Sequence, residues 1–265
     1  MVRGVILDLA GVLYEGDAAL PGAAAALDRL RALGLPLRFV TNTSRRTGAS
    51  LLARLRGLGL DIGDDELFTA VRAARALLTQ RGLHPLLLIH PDLESEFADL
   101  PADEPTAVLI GDAGETMDYQ RLNDAFRVLI EGAPLLAINR NRYFREADGL
   151  SLDTGPFVAA LEYAADCEAE LIGKPAPALF HTAADSMGCT PDEVVMIGDD
   201  AEADVNGAIA AGLNAILVQT GKYRDGDEDR LDPGATIARD LEHAVELIAT
   251  RLATGTWSCD DGSWT

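Results

Sequence analysis

Short, continuously apolar runs alternate with longer amphipathic stretches along most of the chain. A short apolar run bounded by turn residues is typical of a strand covered on both faces, and apolar residues at a 3.6-residue period predict a helix. The alternation predicts an α/β fold around a parallel sheet. The predicted strands are 5–7, 37–40, 86–89, 107–110, 135–138, 171–172, 194–197 and 215–218. The predicted helices are 23–33, 44–58, 70–78, 119–130, 157–165, 178–187, 203–211 and 241–252.

The chain of 265 residues is longer than a typical single domain and shorter than two large ones, so we expect one domain with a sizeable insertion. The pattern over 82–167 is typical of a small α/β unit, and we assign 1–81 and 168–265 to the parent domain. Within the insertion, the polar, glycine-containing segment 139–155 predicts a loop. The tail 254–265 has no periodicity, and we expect it to be mobile.

Charge and composition argue against several classes of function. Asp and Glu number 43 against 22 Lys and Arg, which gives a net charge of -21. Such a field repels nucleic acids and anionic membranes, so we expect neither as a partner. No stretch approaches the roughly 20 apolar residues of a membrane span, and the N-terminus has no signal-peptide pattern, so we expect a cytoplasmic protein. Three widely spaced cysteines argue against a disulfide framework or a zinc site.

Polar side chains follow four of the predicted strands, at the points where these strands end. Asp8 follows the first strand, Thr41 the second, Lys174 the strand 171–172, and Asp199 with Asp200 the strand 194–197. The carboxyl ends of parallel strands line one edge of a sheet, and ligands bind there. We therefore expect these four distant segments to converge.

The residue types in this set predict one kind of chemistry. Carboxylates with little positive charge nearby favour a hard cation, and magnesium accepts a few carboxylates while keeping water and phosphate oxygens as ligands. The ammonium of Lys174 and the hydroxyl of Thr41 are suited to hold a phosphoryl group. A carboxylate beside the metal can attack phosphorus and form an aspartyl-phosphate, which water later cleaves. The sequence therefore predicts a magnesium-dependent phosphate-transferring site with Asp8 as the nucleophile.

Four motifs in this order resemble the haloacid dehalogenase (HAD) superfamily. They are DLAGVLY at 8–14, TNTS at 41–44, GKP at 173–175 and GDDAEAD at 198–204. The insertion of about 130 residues between the second and third motifs resembles subfamily IIA, whose α/β "C2" cap occupies that place. The resemblance extends from residue 5 to about residue 252 and implies a Rossmann-like parallel sheet core with an inserted C2 cap domain.

The resemblance also implies roles for individual residues. Asp8 would be the nucleophile and a magnesium ligand, and the backbone carbonyl of Ala10 a second ligand. Thr41 and the amide of Asn42 would bind the phosphoryl oxygens.

Further roles fall on the third and fourth motifs. Lys174 would neutralise charge on the nucleophile and the phosphate, and Asp199 would bind magnesium directly. Asp204 would orient a metal-bound water or Lys174. Asp200 is the weaker candidate for this supporting role, because the superfamily varies in the second acid that it uses.

Position 10 departs from the family pattern. Most phosphatases of the superfamily carry a second Asp two residues after the nucleophile as general acid and base, and this chain has Ala10. A methyl group cannot transfer a proton, and loss of such a catalyst costs about 100- to 10,000-fold in rate. We expect substrates with good leaving groups, such as acyl phosphates, aryl phosphates and pyrophosphate, to be affected least.

The leading hypothesis is a magnesium-dependent phosphatase that acts on a small phosphorylated molecule, as a monomer or a homodimer. One alternative is a catalytically impaired, phosphate- or metal-binding regulatory protein, which the alanine at position 10 favours. Another is a phosphonate hydrolase that cleaves a carbon–phosphorus bond, because such enzymes of the superfamily also have alanine there. They need a cap lysine to form a Schiff base, and the segment 82–167 contains none.

Overall fold

The computed structural model describes residues 1–101, 104–146 and 149–255 of the chain, and the predicted mobile tail lies almost entirely outside them. The strands are β1 (Gly4–Leu7), β2 (Tyr14–Glu15), β3 (Ala18–Ala19), β4 (Leu37–Thr41), β5 (Leu67–Thr69), β6 (Pro85–Leu88), β7 (Ala107–Ile110), β8 (Leu135–Ala137), β9 (Tyr143–Glu146), β10 (Gly149–Leu152), β11 (Glu170–Leu171), β12 (Val194–Gly198), β13 (Asn214–Val218) and β14 (Thr236–Ala238). The helices are α1 (Ala23–Ala32), α2 (Gly48–Gly57), α3 (Ala70–Arg81), α4 (Tyr119–Ile130), α5 (Thr154–Ala165), α6 (Pro177–Ser186), α7 (Gly207–Ala210) and α8 (Leu241–Thr254).

These elements form two compact units. The first contains Met1–Thr41, Leu52–Phe68 and the described residues from Pro175 onward, and the second contains Asn42–Leu51 and Thr69–Lys174. The segment 82–167 lies within the second unit, which extends beyond it at both ends. The domain boundaries at 82 and 167 stay a prediction.

The first unit is built on a six-stranded sheet with the order β14-β13-β12-β1-β4-β5. The neighbours from β14 to β4 pair in parallel. β1 and β12 are buried along their whole length, as their continuous apolar sequence predicts. The carboxyl ends of β12, β1 and β4 therefore lie side by side.

The second unit is a four-stranded parallel sheet with the order β11-β8-β7-β6, covered by helices on both faces. Alternate residues of β7 point to opposite faces. Ala107 and Leu109 pack in the core that includes residues of α3, and Val108 and Ile110 pack in the core that includes residues of α4 and α5. The sheet is thus the middle of three layers, which explains why its strands are continuously apolar.

The structure confirms the α/β class and a Rossmann-like parallel core and corrects several predicted elements. The strand before Lys174 was expected in the main sheet, but β11 pairs with β8 in the second sheet. The helix predicted over 44–58 begins only at Gly48, because the hydroxyl of Thr47 accepts the hydrogen bond from the amide of Ser50 in the first turn, at 3.1 Å.

The predicted loop 139–155 contains an antiparallel hairpin formed by β9 and β10. The sequence pattern gives little indication of it, because Leu150 and Leu152 point to solvent instead of forming a buried face. The short strands β2, β3, β5 and β14 were also not predicted. No helix among the described residues is long and apolar enough to cross a membrane.

Candidate active site

Three buried carboxylates, those of Asp8, Asp199 and Asp204, form a compact cluster in the first unit. Each offers one oxygen, and these oxygens all lie within 4.8 Å of one another. Asp8 and Asp199 meet because β1 and β12 are parallel neighbours paired at Leu7 and Ile197, so the residues that follow emerge side by side. The structure thus brings two predicted metal ligands together with a residue predicted to support them.

A π-helical turn over Ala201–Asn206 places Asp204 in this cluster. Gly198 leaves the space that Asp204 fills, since a Cβ at position 198 would lie 2.2 Å from the Cβ of Asp204. Asp200 begins the turn. Its Oδ1 accepts hydrogen bonds at 3.2 and 3.0 Å from the amides two and three residues further on, and its own amide donates to Oδ2 of Asp204 at 3.2 Å. Asp200 therefore caps the turn and orients Asp204.

Asp199 is almost completely buried in this cluster, with 1% of its surface exposed. Its Oδ2 accepts a hydrogen bond from the amide of Lys222 at 2.7 Å, and its buried Oδ1 accepts none from any described residue. Burial, together with the charges of Asp8 and Asp204, raises the pKa of Asp199 well above its usual value, because the anion loses solvation and faces two like charges. A buried carboxylate oxygen without a hydrogen bond is costly. A divalent cation among the three carboxylates would satisfy it, so the donor set fits magnesium.

Position 10 lies in the turn between β1 and β2. The amide of Gly11 donates to the carbonyl of Tyr14 at 2.8 Å, and Ala10 forms an isolated bridge with Tyr14. Ala10 itself is exposed. This position therefore presents only a methyl group. The proposed ligand role of its backbone carbonyl stays a prediction.

Thr41 is the last residue of β4 and is buried. Because β4 is the parallel neighbour of β1, Thr41 lies at the same sheet edge as Asp8. Its predicted role as a phosphate ligand is consistent with this position and stays a prediction.

Asn42 and Lys174 are joined in the second unit by two reciprocal hydrogen bonds. Nδ2 of Asn42 donates to the carbonyl of Lys174, and Oδ1 of Asn42 accepts from the amide of Lys174, both at 2.8 Å. Gly173 is required beside them, since a Cβ there would lie 2.4 Å from the carbonyl oxygen of Ile138 and 2.5 Å from Oδ1 of Asn42. The side chain of Asn42 thus positions the backbone of the buried Lys174, a role that the sequence did not predict.

Lys222 is a charged neighbour of the carboxylate cluster that the sequence prediction missed. Its side chain is 54% exposed, and its Nζ donates to Oδ2 of Asp200 at 3.3 Å. Partial loss of solvation acts to lower the pKa of Lys222, but the charges of Asp200 and of the three clustered carboxylates raise it, and the pKa lies above its usual value. The sequence contains an indication of this role, because Lys222 is one of only two lysines and follows β13, a strand of the main sheet.

The second unit has a cavity of about 410 Å³, within the range of small-molecule sites. His90 and Asp112, which follow β6 and β7, line it together with Arg45, Glu115 and Asp153. The guanidinium of Arg45 donates to the carboxylate of Asp112. The cavity is thus polar and carries more acidic than basic groups.

Comparison with known proteins identifies the class to which this fold and carboxylate cluster belong. A family model described as haloacid dehalogenase-like hydrolase matches residues 5–101, and a second described as HAD-hydrolase-like matches residues 171–244. The chain belongs to the haloacid dehalogenase-like hydrolases, and its relatives are those of subfamily IIA. It is a phosphatase-type hydrolase.

Particular relatives cover nearly the whole chain. Haloacid dehalogenase-like hydrolase domain-containing protein 2 of Bos taurus is 47% identical over 95% of this chain and 97% of its own length. Phospholysine phosphohistidine inorganic pyrophosphate phosphatase of Xenopus laevis is 43% identical over 93% of this chain and 94% of its own. The crystal structure of a glycerol phosphate phosphatase from Mycobacterium tuberculosis in complex with magnesium superposes with a TM-score of 0.82, at 28% identity, over 93% of this chain and 78% of that one.

Proposed function

We propose that this protein is a magnesium-dependent phosphatase that hydrolyses a small phosphorylated molecule through a phosphorylated Asp8. The observation that carries the proposal is the buried cluster of Asp8, Asp199 and Asp204, in which Oδ1 of Asp199 accepts no hydrogen bond from the described residues. Such a set of oxygens suits a magnesium ion. The glycerol phosphate phosphatase of Mycobacterium tuberculosis has crystal structures in complex with magnesium and in complex with calcium, which supports a divalent cation in a related phosphatase.

The residues divide the work as follows. Asp8, Asp199 and the carbonyl of Ala10 would hold the ion, which supplies charge neutralisation and polarises a phosphoryl oxygen. A carboxylate oxygen of Asp8 attacks phosphorus, and the bond from phosphorus to the leaving group breaks with its electron pair. Water then attacks the aspartyl-phosphate, releasing phosphate and restoring the Asp8 carboxylate. Asp204, oriented by the amide of Asp200, would orient a metal-bound water or Lys174.

We propose Thr41, the amide of Asn42 and Lys174 as phosphoryl ligands, which is the role that the family motifs imply. Their motifs and order support these roles, and Lys174 is a buried cation held at its backbone by Asn42. A buried lysine of this kind is suited to neutralise an anionic group.

We further propose that the substrates have leaving groups that need little protonation. The methyl group of Ala10 cannot deliver a proton to a departing alkoxide. Phosphate can leave from pyrophosphate without a proton from the enzyme, and the nitrogen of a phosphoramidate can take its proton from water before the bond breaks. The name of the Xenopus laevis relative includes phospholysine, phosphohistidine and inorganic pyrophosphate. This chain is therefore expected to prefer phosphoanhydride or phosphoramidate bonds over simple phosphate esters.

The test is release of inorganic phosphate from acetyl phosphate, pyrophosphate, p-nitrophenyl phosphate and glycerol phosphate, each with magnesium and with a chelator. We expect turnover only with magnesium, rates that fall as the leaving group becomes more basic, and no turnover by Asp8→Asn. Activity that survives in the chelator or in Asp8→Asn would contradict the proposal.

A second candidate function is a regulatory protein that binds magnesium or phosphate without turnover. The exposed methyl group of Ala10 is the observation that favours it. Magnesium binding by calorimetry, combined with no phosphate release from any of the four substrates, would support this function instead.

A further inference from the structure

We infer that the turn formed by Thr220, Gly221 and Lys222 makes Asp199 a one-oxygen ligand and thereby favours magnesium over calcium at the carboxylate cluster. This inference rests on the proposed magnesium site and adds to it a device for choosing between two hard cations. The three residues of this turn lie outside the four family motifs.

One carboxylate oxygen of Asp199, Oδ2, is enclosed by the protein. Oδ2 of Asp199 accepts the amide hydrogen of Lys222 at 2.7 Å. Glycines pack closely against it from two loops: a Cβ at Gly11 would lie 1.9 Å from this oxygen, and a Cβ at Gly221 would lie 2.1 Å from it. Oδ2 is therefore surrounded by protein, and Oδ1 is the oxygen left for a ligand.

The two loops are also tied to each other. The hydroxyl of Thr220 donates a hydrogen bond to the carbonyl of Gly11. Gly11 and Gly221 both have positive φ angles, of 85° and 62°, which glycine adopts without strain. The backbone at Gly11 and Gly221 can therefore approach the carboxylate of Asp199 closely, because neither residue has a side chain.

The consequence follows from the coordination habits of the two ions. Calcium takes about six to eight oxygens and often binds both oxygens of one carboxylate, whereas magnesium requires a near-octahedral set at about 2.0–2.1 Å and keeps several waters. A carboxylate that can present only Oδ1 suits magnesium and denies calcium a bidentate contact. Hydrogen-bonding partners that orient a metal ligand typically change metal affinity by about 10- to 100-fold.

The charge of Lys222 is a separate effect of the same turn. Its ammonium lies 3.3 Å from Oδ2 of Asp200 and offsets one of the four nearby carboxylates. A positive charge lowers the affinity for any divalent cation, so it does not by itself distinguish two ions of equal charge. The effect of the enclosed oxygen on the preference for magnesium and the effect of the ammonium on the affinity for both ions can therefore be separated by mutation.

The experiment measures dissociation constants for magnesium and calcium by isothermal titration calorimetry, at constant pH and ionic strength, on the full chain. A Cβ in Gly221→Ala would lie 2.1 Å from Oδ2, too close to be accommodated, so the carboxylate must turn away from the amide of Lys222 and expose Oδ2. This should shift the ratio of the two constants toward calcium by about tenfold or more. Gly226→Ala is the matched control, because Gly226 is also a positive-φ glycine, at 92°, and a Cβ there meets no atom within 4 Å. It should leave the ratio within about twofold of the unmodified protein.

Two more variants keep the test decisive if Gly221→Ala folds poorly. Thr220→Val removes the hydroxyl that joins the two loops and should shift the ratio in the same direction by about threefold. Lys222→Met keeps the amide donor and should tighten both ions equally. An unchanged ratio in Gly221→Ala and Thr220→Val, or a shift in Lys222→Met alone, would overturn the inference. Failure of the unmodified protein to bind either ion would instead overturn the proposed function.

Discussion

Restoring a carboxyl group at position 10 tests the account of how this site works. Ala10→Asp returns the proton-transfer group that most of the family carries two residues after the nucleophile. Ala10 is exposed in the turn between β1 and β2, so the added atoms displace no packed neighbour. Exposed substitutions of this kind usually change the free energy of unfolding by less than about 0.5 kcal/mol.

The magnitude follows from what general acid catalysis supplies. A positioned acid contributes about 100- to 10,000-fold, which corresponds to about 2.7–5.4 kcal/mol of activation free energy at about 1.36 kcal/mol per tenfold. That gain applies where the leaving group needs a proton. We expect Ala10→Asp to raise kcat/KM for glycerol phosphate by about 100-fold or more and for acetyl phosphate by less than about tenfold.

The assay is a series of phosphate monoesters whose leaving groups span a range of pKa, measured with both proteins at saturating magnesium. The unmodified protein should show rates that fall steeply as the pKa of the leaving group rises, and Ala10→Asp should flatten that dependence. Ala10→Asn is the control of matched shape, since it cannot donate an acidic proton. A steep dependence that persists in Ala10→Asp, or a flat one in the unmodified protein, would refute the reasoning.

Three further predictions follow from the contacts around the site. Asn42→Ala removes two 2.8 Å hydrogen bonds to the backbone of Lys174 and should lower the free energy of unfolding by about 1–3 kcal/mol in urea titration, at about 0.5–1.5 kcal/mol per bond; an unchanged midpoint would contradict it. Burial and the charges of Asp8 and Asp204 raise the pKa of Asp199. Above a pH of about 3.9, the ordinary Asp pKa, the folded protein therefore binds more protons than the unfolded chain. Without metal, the free energy of unfolding should fall as the pH rises above that value. Thermal melts in a chelator check this, with Asp199→Asn expected to remove the dependence. Magnesium at 100 times its dissociation constant should add about 2.7 kcal/mol of stability, and equal melting temperatures with and without the ion would count against a site at this cluster.

Elements with a local signal were predicted well from the sequence. β7 and α4 have the predicted bounds, because a run of buried apolar residues and a 3.6-residue period are properties of neighbouring residues. The hairpin of β9 and β10 was missed because its apolar side chains at Leu150 and Leu152 are exposed, so no period marks a buried face.

The positions of Asp8 and Asp199 after apolar strands also predicted that they converge, since parallel strands bring their carboxyl ends to one edge. That their two strands are adjacent is shown by the pairing of β1 with β12. Which sheet the strand before Lys174 joins was not decided by its residues. A strand of two apolar residues fits either sheet, and the structure shows that β11 pairs with β8 in the second sheet.

The residue types of the candidate site, and the absence of an acid at position 10, follow from the amino-acid sequence, because the sequence gives the identity and order of the side chains directly. The partners of those side chains depend on the tertiary structure. The amide of Lys222 is bound to Asp199 across 23 residues, and the side chain of Asn42 is bound to Lys174 across 132. Backbone donors are the same at every non-proline residue, so only the folded chain shows that one of them encloses Oδ2 of Asp199 and leaves Oδ1 for a ligand.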